Sequence, residues 1–85
     1  MLAVGALIFW FHSYDALHEN RASIHVGKGG QDDMNDAKIW LEPEISVARQ
    51  GRVLRLYELR QALKVTEQNR TFLLEQWYDF KGRSS

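Results

Sequence analysis

The feature that most constrains the fold is an amphipathic pattern in the second half of the chain, over residues 56–80. Projected at about 100° per residue, its apolar side chains fall within one arc of roughly 120°. A helix with one apolar stripe must bury that stripe against another element, so the pattern predicts one long helix packed on the rest of the chain. The predicted stripe comprises Leu56, Leu59, Ala62, Leu63, Thr66, Leu73, Leu74, Trp77 and Phe80.

Four short segments that precede this helix have the composition of β-strands. Residues 37–42 alternate between core-facing and outward side chains, and Pro43 ends the run because proline cannot donate a hydrogen bond within a central ladder. The other predicted strands are residues 7–12, 22–27 and 45–49, the last as an edge strand or an extended arm. The predicted fold is α+β, a small antiparallel sheet of three to four strands against one C-terminal helix, in a single domain spanning residues 1–85.

Composition excludes several kinds of site and location. The 85 residues include no cysteine, which removes disulfides, thiolate catalysis and cysteine-based zinc sites and fits a reducing cytoplasm. The apolar run from Leu2 to Phe11 is shorter than the about 20 residues of a membrane helix, and it lacks the basic start of a signal peptide. We therefore expect a cytoplasmic protein that does not associate with membranes.

Charge is distributed unevenly along the chain although the formal net charge is zero. Residues 1–51 carry four Lys/Arg and seven Asp/Glu, whereas residues 52–85 carry seven and four, so the two halves carry −3 and +3. The halves should attract each other. At zero net charge no attraction of the whole protein to nucleic acid is expected, and nucleic acid is disfavoured as a partner without being ruled out.

Two features of the helix depart from a simple apolar stripe. Arg70 falls inside the apolar arc, where an unpaired charge is costly, so we expect it to pair with a carboxylate, Glu42 or Glu44, rather than to reach solvent. Val65 and Phe72 lie seven residues apart on the opposite face, a spacing that suits contact with a second chain or a second copy in a homo-oligomer. The predicted binding residues are Arg70, Val65, Phe72 and Glu42.

Candidates for catalysis and metal binding are sparse. His25 is a weak candidate for a general acid/base, since the ordinary pKa of histidine is near neutrality, although a lone strand histidine is more often structural. His12 and His18 could approach it only if the first two strands form a hairpin. The segment 27–30 lacks the spacing of a phosphate-binding loop, and the acidic segment 32–36 lacks the glycine and distal glutamate of a calcium loop. We expect neither a metal nor another cofactor.

The order of these segments resembles a known family. After a Phe/Trp-rich first strand come Ile24-His25-Val26, Ala37-Lys38-Ile39-Trp40-Leu41-Glu42-Pro43, Glu58-Leu59, and Asn69-Arg70-x-x-Leu73-Leu74-Glu75-x-Trp77. This order is similar to that of the small prokaryotic family known as domain of unknown function 4160. The resemblance implies a stand-alone α+β protein, often encoded beside another small protein in a toxin–antitoxin-like pair. Members often carry a Pro-His-x-His strand, whereas this chain has Ala22-Ser23-Ile24-His25, so a two-histidine site is not available here.

Two functional hypotheses from different classes follow. We favour a non-enzymatic protein-interaction module that binds a small protein encoded nearby, through an exposed strand edge, the face with Val65 and Phe72, or both. The alternative is a minimal enzyme acting on RNA, with His25 as acid/base and arginine side chains as phosphate ligands. The zero net charge and the missing histidine favour the interaction module.

Overall fold

The computed structural model describes residues 2–11, 21–29 and 35–84, in which five strands are followed by two helices. The fold class is α+β, as predicted. The strands are β1 (Leu2–Val4), β2 (Leu7–Trp10), β3 (Ser23–Lys28), β4 (Ala37–Trp40) and β5 (Ser46–Arg49), and the helices are α1 (Leu56–Gln68) and α2 (Arg70–Ser84).

The five strands form one antiparallel sheet in which each strand pairs with its neighbours in sequence, in the order β1-β2-β3-β4-β5. The register places Phe9 opposite Val26 and Ile24 opposite Ile39. Side chains of directly opposed residues point to the same face of a sheet, so these four form one apolar face. The pairing of β4 with β5 contains a register shift between Lys38 and Ile39, the irregularity expected at a β-bulge.

The sheet contains one strand more than the three to four that the sequence predicts. The apolar run near the N terminus is two strands rather than one, because a turn at Gly5 folds Leu2–Val4 back against β2. Gly5 has a φ of 59°, a left-handed conformation that glycine adopts without steric cost. Gly5 therefore belongs to the turn of a hairpin formed by β1 and β2.

Both helices contribute to a core built on one face of the sheet. Trp77 of α2 is 1% exposed, and Ile39 and Leu41 are fully buried, so the alternation predicted for residues 37–42 is confirmed. Leu56, predicted as the first residue of the stripe, is 55% exposed, and burial begins in the next residues of α1, at Glu58 and Leu59. The core comprises Leu7, Phe9, Ala22, Ile24, Val26, Ala37, Ile39, Leu41, Leu54, Leu59, Ala62, Val65, Leu73 and Trp77.

The single predicted helix is interrupted at Asn69 and is therefore two helices. Asn69 has φ −113° and ψ 17°, outside the helical range, and its side-chain Nδ2 donates to the carbonyl of Val65 at 2.8 Å. One turn earlier the Thr66 hydroxyl donates to the carbonyl of Ala62 at 2.7 Å. Side-chain bonds to helix carbonyls compete with the backbone ladder and bend helices. Apolar periodicity continues through the break, which is why it predicted one helix.

One ion pair joins α1 to the sheet. The Lys28 ammonium lies 2.8 Å from a carboxylate oxygen of Glu58, and the other oxygen accepts the backbone N–H of Arg55 at 2.9 Å. The second bond satisfies a donor that the start of a helix leaves free. The hydrogen bond from Lys28 lowers the pKa of Glu58, and the same bond raises the pKa of Lys28. In this ion pair the cation, Lys28, lies in the half of the chain with a net charge of −3, and the anion, Glu58, lies in the half with a net charge of +3. The pair is therefore opposite in sense to the attraction that the two totals predict.

Candidate functional site

The face of the sheet opposite the core carries a row of aromatic and cationic side chains. Trp10, His25, Lys38 and Arg49 lie directly opposite one another on four successive strands. In the adjacent row Ser23 lies opposite Trp40. Directly opposed residues share a face, so the register of an antiparallel meander collects these side chains from distant points in the sequence. We call the surface formed by Trp10, Ser23, His25, Lys38, Trp40 and Arg49 the polar face.

His25 is buried within the polar face. It is 5% exposed, and its ring stacks on Trp10 with ring centroids 5.9 Å apart and planes 24° apart. A general acid/base must come within hydrogen-bonding distance of a substrate, and an imidazole stacked on an indole ring takes part in the packing of this face. A catalytic role for His25 stays a prediction. His12 and His18 lie outside the described residues, so their approach to His25 is untested.

Trp40 holds two cations against its ring on this face. The guanidinium carbon of Arg21 lies 4.3 Å from the ring centre, and the Lys38 ammonium nitrogen lies 4.8 Å from it. Both distances are in the range of cation–π interactions. Because one ring holds both, the two charges cannot be more than about 9 Å apart. The alternation over residues 37–42 correctly put Trp40 on the face away from the core, but Arg21 has no sequence signal that would have paired it with Trp40.

Three consecutive backbone carbonyls after β4 accept hydrogen bonds from arginine side chains. Arg21 Nε donates to the carbonyl of Glu42 at 2.5 Å. Arg70 Nε donates to the carbonyl of Leu41 at 2.9 Å, and Arg70 Nη2 donates to that of Pro43 at 3.1 Å. Charged donors thus satisfy the carbonyls of a segment that has left the sheet ladder. The prediction that Arg70 pairs with a carboxylate is wrong, because its guanidinium donates instead to the backbone carbonyls of Leu41 and Pro43.

The Glu42 carboxylate belongs to the same network but contacts different groups. One of its oxygens accepts the backbone N–H of Ala22 at 3.3 Å and the Tyr78 hydroxyl at 2.5 Å. The bond to Glu42 raises the pKa of Tyr78 because it favours the protonated phenol. Glu42 and Arg70 therefore belong to one network but bind different groups within it. Their role in binding a partner stays a prediction.

We expect Arg70→Ala to lower the free energy of unfolding by about 1.5–3 kcal/mol, because two charge-assisted hydrogen bonds to Leu41 and Pro43 are lost. Arg60→Ala, at an exposed position of α1, should change it by less than about 0.5 kcal/mol. Arg70→Lys should recover only part of the loss, since an ammonium lacks the two-pronged donor geometry of a guanidinium. Urea unfolding monitored by circular dichroism measures all three. Equal effects of Arg70→Ala and Arg60→Ala would show that the network does not stabilise the fold.

Val65 and Phe72 do not form the shared exposed face that their spacing predicts. Val65 is 8% exposed and belongs to the core, whereas Phe72 is 50% exposed. The two lie on either side of the break at Asn69, so a seven-residue spacing does not keep them on one face of one helix. The predicted exposure of Val65 is wrong, that of Phe72 is confirmed, and a binding role for Phe72 stays a prediction.

Strand β5 presents an open edge. All four of its residues, Ser46–Arg49, are exposed, and Val47 exposes 40% of its surface. One edge of β5 pairs with β4, and no strand of the described chain pairs with the other edge. An open edge offers unpaired backbone donors and acceptors to a strand of another chain.

Other classes of site find no support in the part of the chain that the structure describes. Residues 2–11, 21–29 and 35–84 contain no group of three or more His, Asp or Glu side chains placed to hold a metal ion. Asp32 and Asp33 belong to the acidic segment 32–36, which lacks the pattern of a calcium loop, and both lie outside those ranges. Within the same ranges no helix has both the length and the apolar character needed to cross a membrane.

Comparison with models of known families matches residues 6–78 to a family described as "Domain of unknown function (DUF4160)". The matched region runs from the start of β2 into the second half of α2. No curated protein and no solved structure matches the chain. Two of the segments that carry the resemblance, residues 37–43 and 69–77, are in contact in the fold. Arg70 of the later segment donates to the carbonyls of Leu41 and Pro43 in the earlier one.

Proposed function

We propose that this chain, which belongs to the domain of unknown function 4160 family, is a non-enzymatic protein-binding module that pairs through the open edge of β5 with a strand of a second small protein. Following the gene arrangement that the family resemblance implies, the partner is the product of a neighbouring gene in a prokaryotic, toxin–antitoxin-like pair. The complex forms in the cytoplasm, where a chain without cysteine needs no oxidising environment.

The observation that carries this proposal is that all four residues of Ser46–Arg49 are exposed at the end of the sheet. Natural sheets protect their edges with proline, lysine, very short strands or a covering element. Strand β5 contains neither proline nor lysine, although it has the charge of Arg49 and the register shift in its pairing with β4. It exposes the β-branched apolar side chain of Val47 to a partner. Strand β1, at the other end of the sheet, has only three residues and thus offers fewer backbone groups to a partner.

The surroundings of His25 support binding over catalysis. An acid/base on this chain would have to exchange protons with a substrate, whereas the His25 ring is engaged in stacking against Trp10. Strand addition requires no reactive side chain, because main-chain hydrogen bonds supply the affinity and side-chain pockets supply the selectivity. The partner strand should therefore place an apolar side chain against Val47.

The test is co-expression of the tagged chain with the product of the adjacent gene, followed by purification and measurement of the stoichiometry and affinity of the complex. We expect Val47→Lys to weaken the complex at least about tenfold, because a lysine in an edge strand opposes pairing. Val47→Thr keeps a β-branched side chain and should bind within about threefold of the wild type. Ala3→Lys places the same charge on the exposed surface of β1 and should leave binding unchanged. Circular dichroism confirms that each variant is folded.

Four results would contradict the proposal. Absence of any stable complex with the neighbouring product would remove the partner. Equal effects of Val47→Lys and Ala3→Lys would remove the assignment to β5. Loss of binding in Phe72→Asp, with full binding retained in Val47→Lys, would move the interface to α2. Self-association of the chain through β5, without a second protein, would replace the partner by a second copy.

A further inference from the structure

Two buried hydrogen-bond donors on the polar face have no partner. Ser23 and Trp10 are 2% and 5% exposed, and within the described part of the chain neither the Ser23 hydroxyl nor the Trp10 indole N–H forms a hydrogen bond. Buried polar groups are nearly always paired with protein, ordered water or ligand, so each orphan requires an explanation. Two on one surface indicate a place where a bound acceptor completes the structure.

The sheet register brings these two donors close together. Ser23 lies directly opposite Trp40, and Trp10 lies directly opposite His25, the next residue of β3 on the same face. Ser23 and Trp10 are therefore diagonal neighbours across β2 and β3, a relation that separates residues by about 7–8 Å. Both side chains extend from the same face of the sheet, so we expect one ligand to contact both donors.

Arg21 is held beside this pair with donors to spare. Its Nε bonds the Glu42 carbonyl at 2.5 Å, and its guanidinium lies over the Trp40 ring, which stands opposite Ser23. These contacts fix the position of the group and leave both terminal NH₂ groups without a hydrogen bond or an ion pair among the described residues. An arginine that is anchored through Nε and open at its fork is prepared for an anion, since less side-chain entropy is lost on binding.

We propose that the polar face binds a phosphate group, presented as the phosphomonoester of a small molecule. Arg21 binds it through its open fork, Lys38 adds a second positive charge from the other contact on Trp40, and the Ser23 hydroxyl and Trp10 indole N–H donate to it. Two cations match the charge of a phosphomonoester at pH 7, which is about −1.5 to −2. A carboxylate has two oxygens, whereas the three terminal oxygens of a phosphate suit the larger set of donors. None of these four residues lies on β5, and the site does not depend on the proposed protein partner.

The indole N–H of Trp10 provides a direct readout. The protein has three tryptophans, so a ¹H–¹⁵N spectrum contains three indole signals, which Trp10→Phe and Trp40→Phe assign. Titration with sodium phosphate at pH 7.5, against sodium chloride at matched ionic strength, should give a saturable downfield shift of the Trp10 signal. Ribose 5-phosphate should bind at least as tightly as phosphate because it is a phosphomonoester. Ser23→Ala and Arg21→Gln should each weaken binding at least about tenfold. Arg60→Gln removes one charge from an exposed part of α1 and should leave binding unchanged.

Each alternative has a distinct outcome that overturns the proposal. A shift that never saturates, or that is equal in Arg21→Gln and Arg60→Gln, means that the buried donors are satisfied by water and that no phosphate site exists. An equal response to sodium acetate replaces phosphate by carboxylate. Binding of a short single-stranded RNA without binding of ribose 5-phosphate replaces the small phosphomonoester by nucleic acid. The amide spectrum of each variant, unchanged outside β3, β4 and the residues around them, separates loss of the site from loss of the fold.

Discussion

Replacing Trp77 with alanine is expected to lower the free energy of unfolding by about 3–5 kcal/mol, because it removes a large ring from a site that cannot refill. Trp77 is 1% exposed and lies in the core formed between the helices and the sheet. It also packs edge-on against Tyr78, with ring centroids 5.1 Å apart, and under the Lys81 ammonium at 4.9 Å. Domains have total stabilities of about 5–15 kcal/mol, so the loss should remove a large share of the stability of so small a protein and lower its unfolding midpoint strongly.

The control for this substitution is Phe72→Ala on the same helix. Phe72 is 50% exposed, so its truncation should cost less than about 1 kcal/mol. Urea unfolding should be followed by far-ultraviolet circular dichroism rather than by fluorescence, because the first variant removes a fluorophore. If Trp77→Ala cost no more than Phe72→Ala, α2 would have to pack on a different face.

Gly51→Ala is expected to destabilise the protein by about 2–5 kcal/mol, the sum of backbone strain and a steric clash. Gly51 has a φ of 74°, and a Cβ atom there would collide with the carbonyl oxygen of Asn35 and lie 2.6 Å from that of Asp36. Neither oxygen can move freely. Asn35 O already accepts the backbone N–H groups of Arg52 and Val53, at 2.7 and 3.1 Å, and these bonds hold the chain after β5 against the start of β4.

Gly29→Ala separates the two contributions. Gly29 has a φ of 81°, close to that of Gly51, but a Cβ atom added there would meet nothing within 4 Å. Its substitution should therefore cost only the strain, about 1–2 kcal/mol. Thermal and urea unfolding of both variants measure the difference, which is the contribution of close packing at Gly51. If the two variants were equally stable, the contact of the chain after β5 with Asn35 and Asp36 would be absent in solution.

The α+β class and most of the core could be predicted from the sequence, because they depend on short-range periodicity. Alternation over residues 37–42 placed Ile39 and Leu41 in the core and Trp40 on the opposite face, and all three placements are correct. The helical stripe likewise identified Leu59 and Trp77 as core residues. Each of these inferences uses only the direction in which successive side chains of one element point.

The break at Asn69 and the extra strand β1 show the limit of periodicity. An apolar pattern records which side chains are buried, not whether the backbone between them is continuous. Asn69 and Gly5 were visible in the sequence, but whether an asparagine caps a helix and whether a glycine forms a turn depend on the bonds that each finds after folding.

Local sequence thus determined the fold class, most of the elements and buried faces, and the family, which the match over residues 6–78 confirms. Tertiary structure decided what the charged and aromatic side chains contact. Arg70 binds a carbonyl 29 residues away in sequence, and Arg21 binds one 21 residues away, and both bonds exist because of strand order and helix placement. A guanidinium can bind a carboxylate, a carbonyl or an aromatic ring, so its residue type leaves the choice open. The fold makes that choice by deciding which acceptor lies within reach.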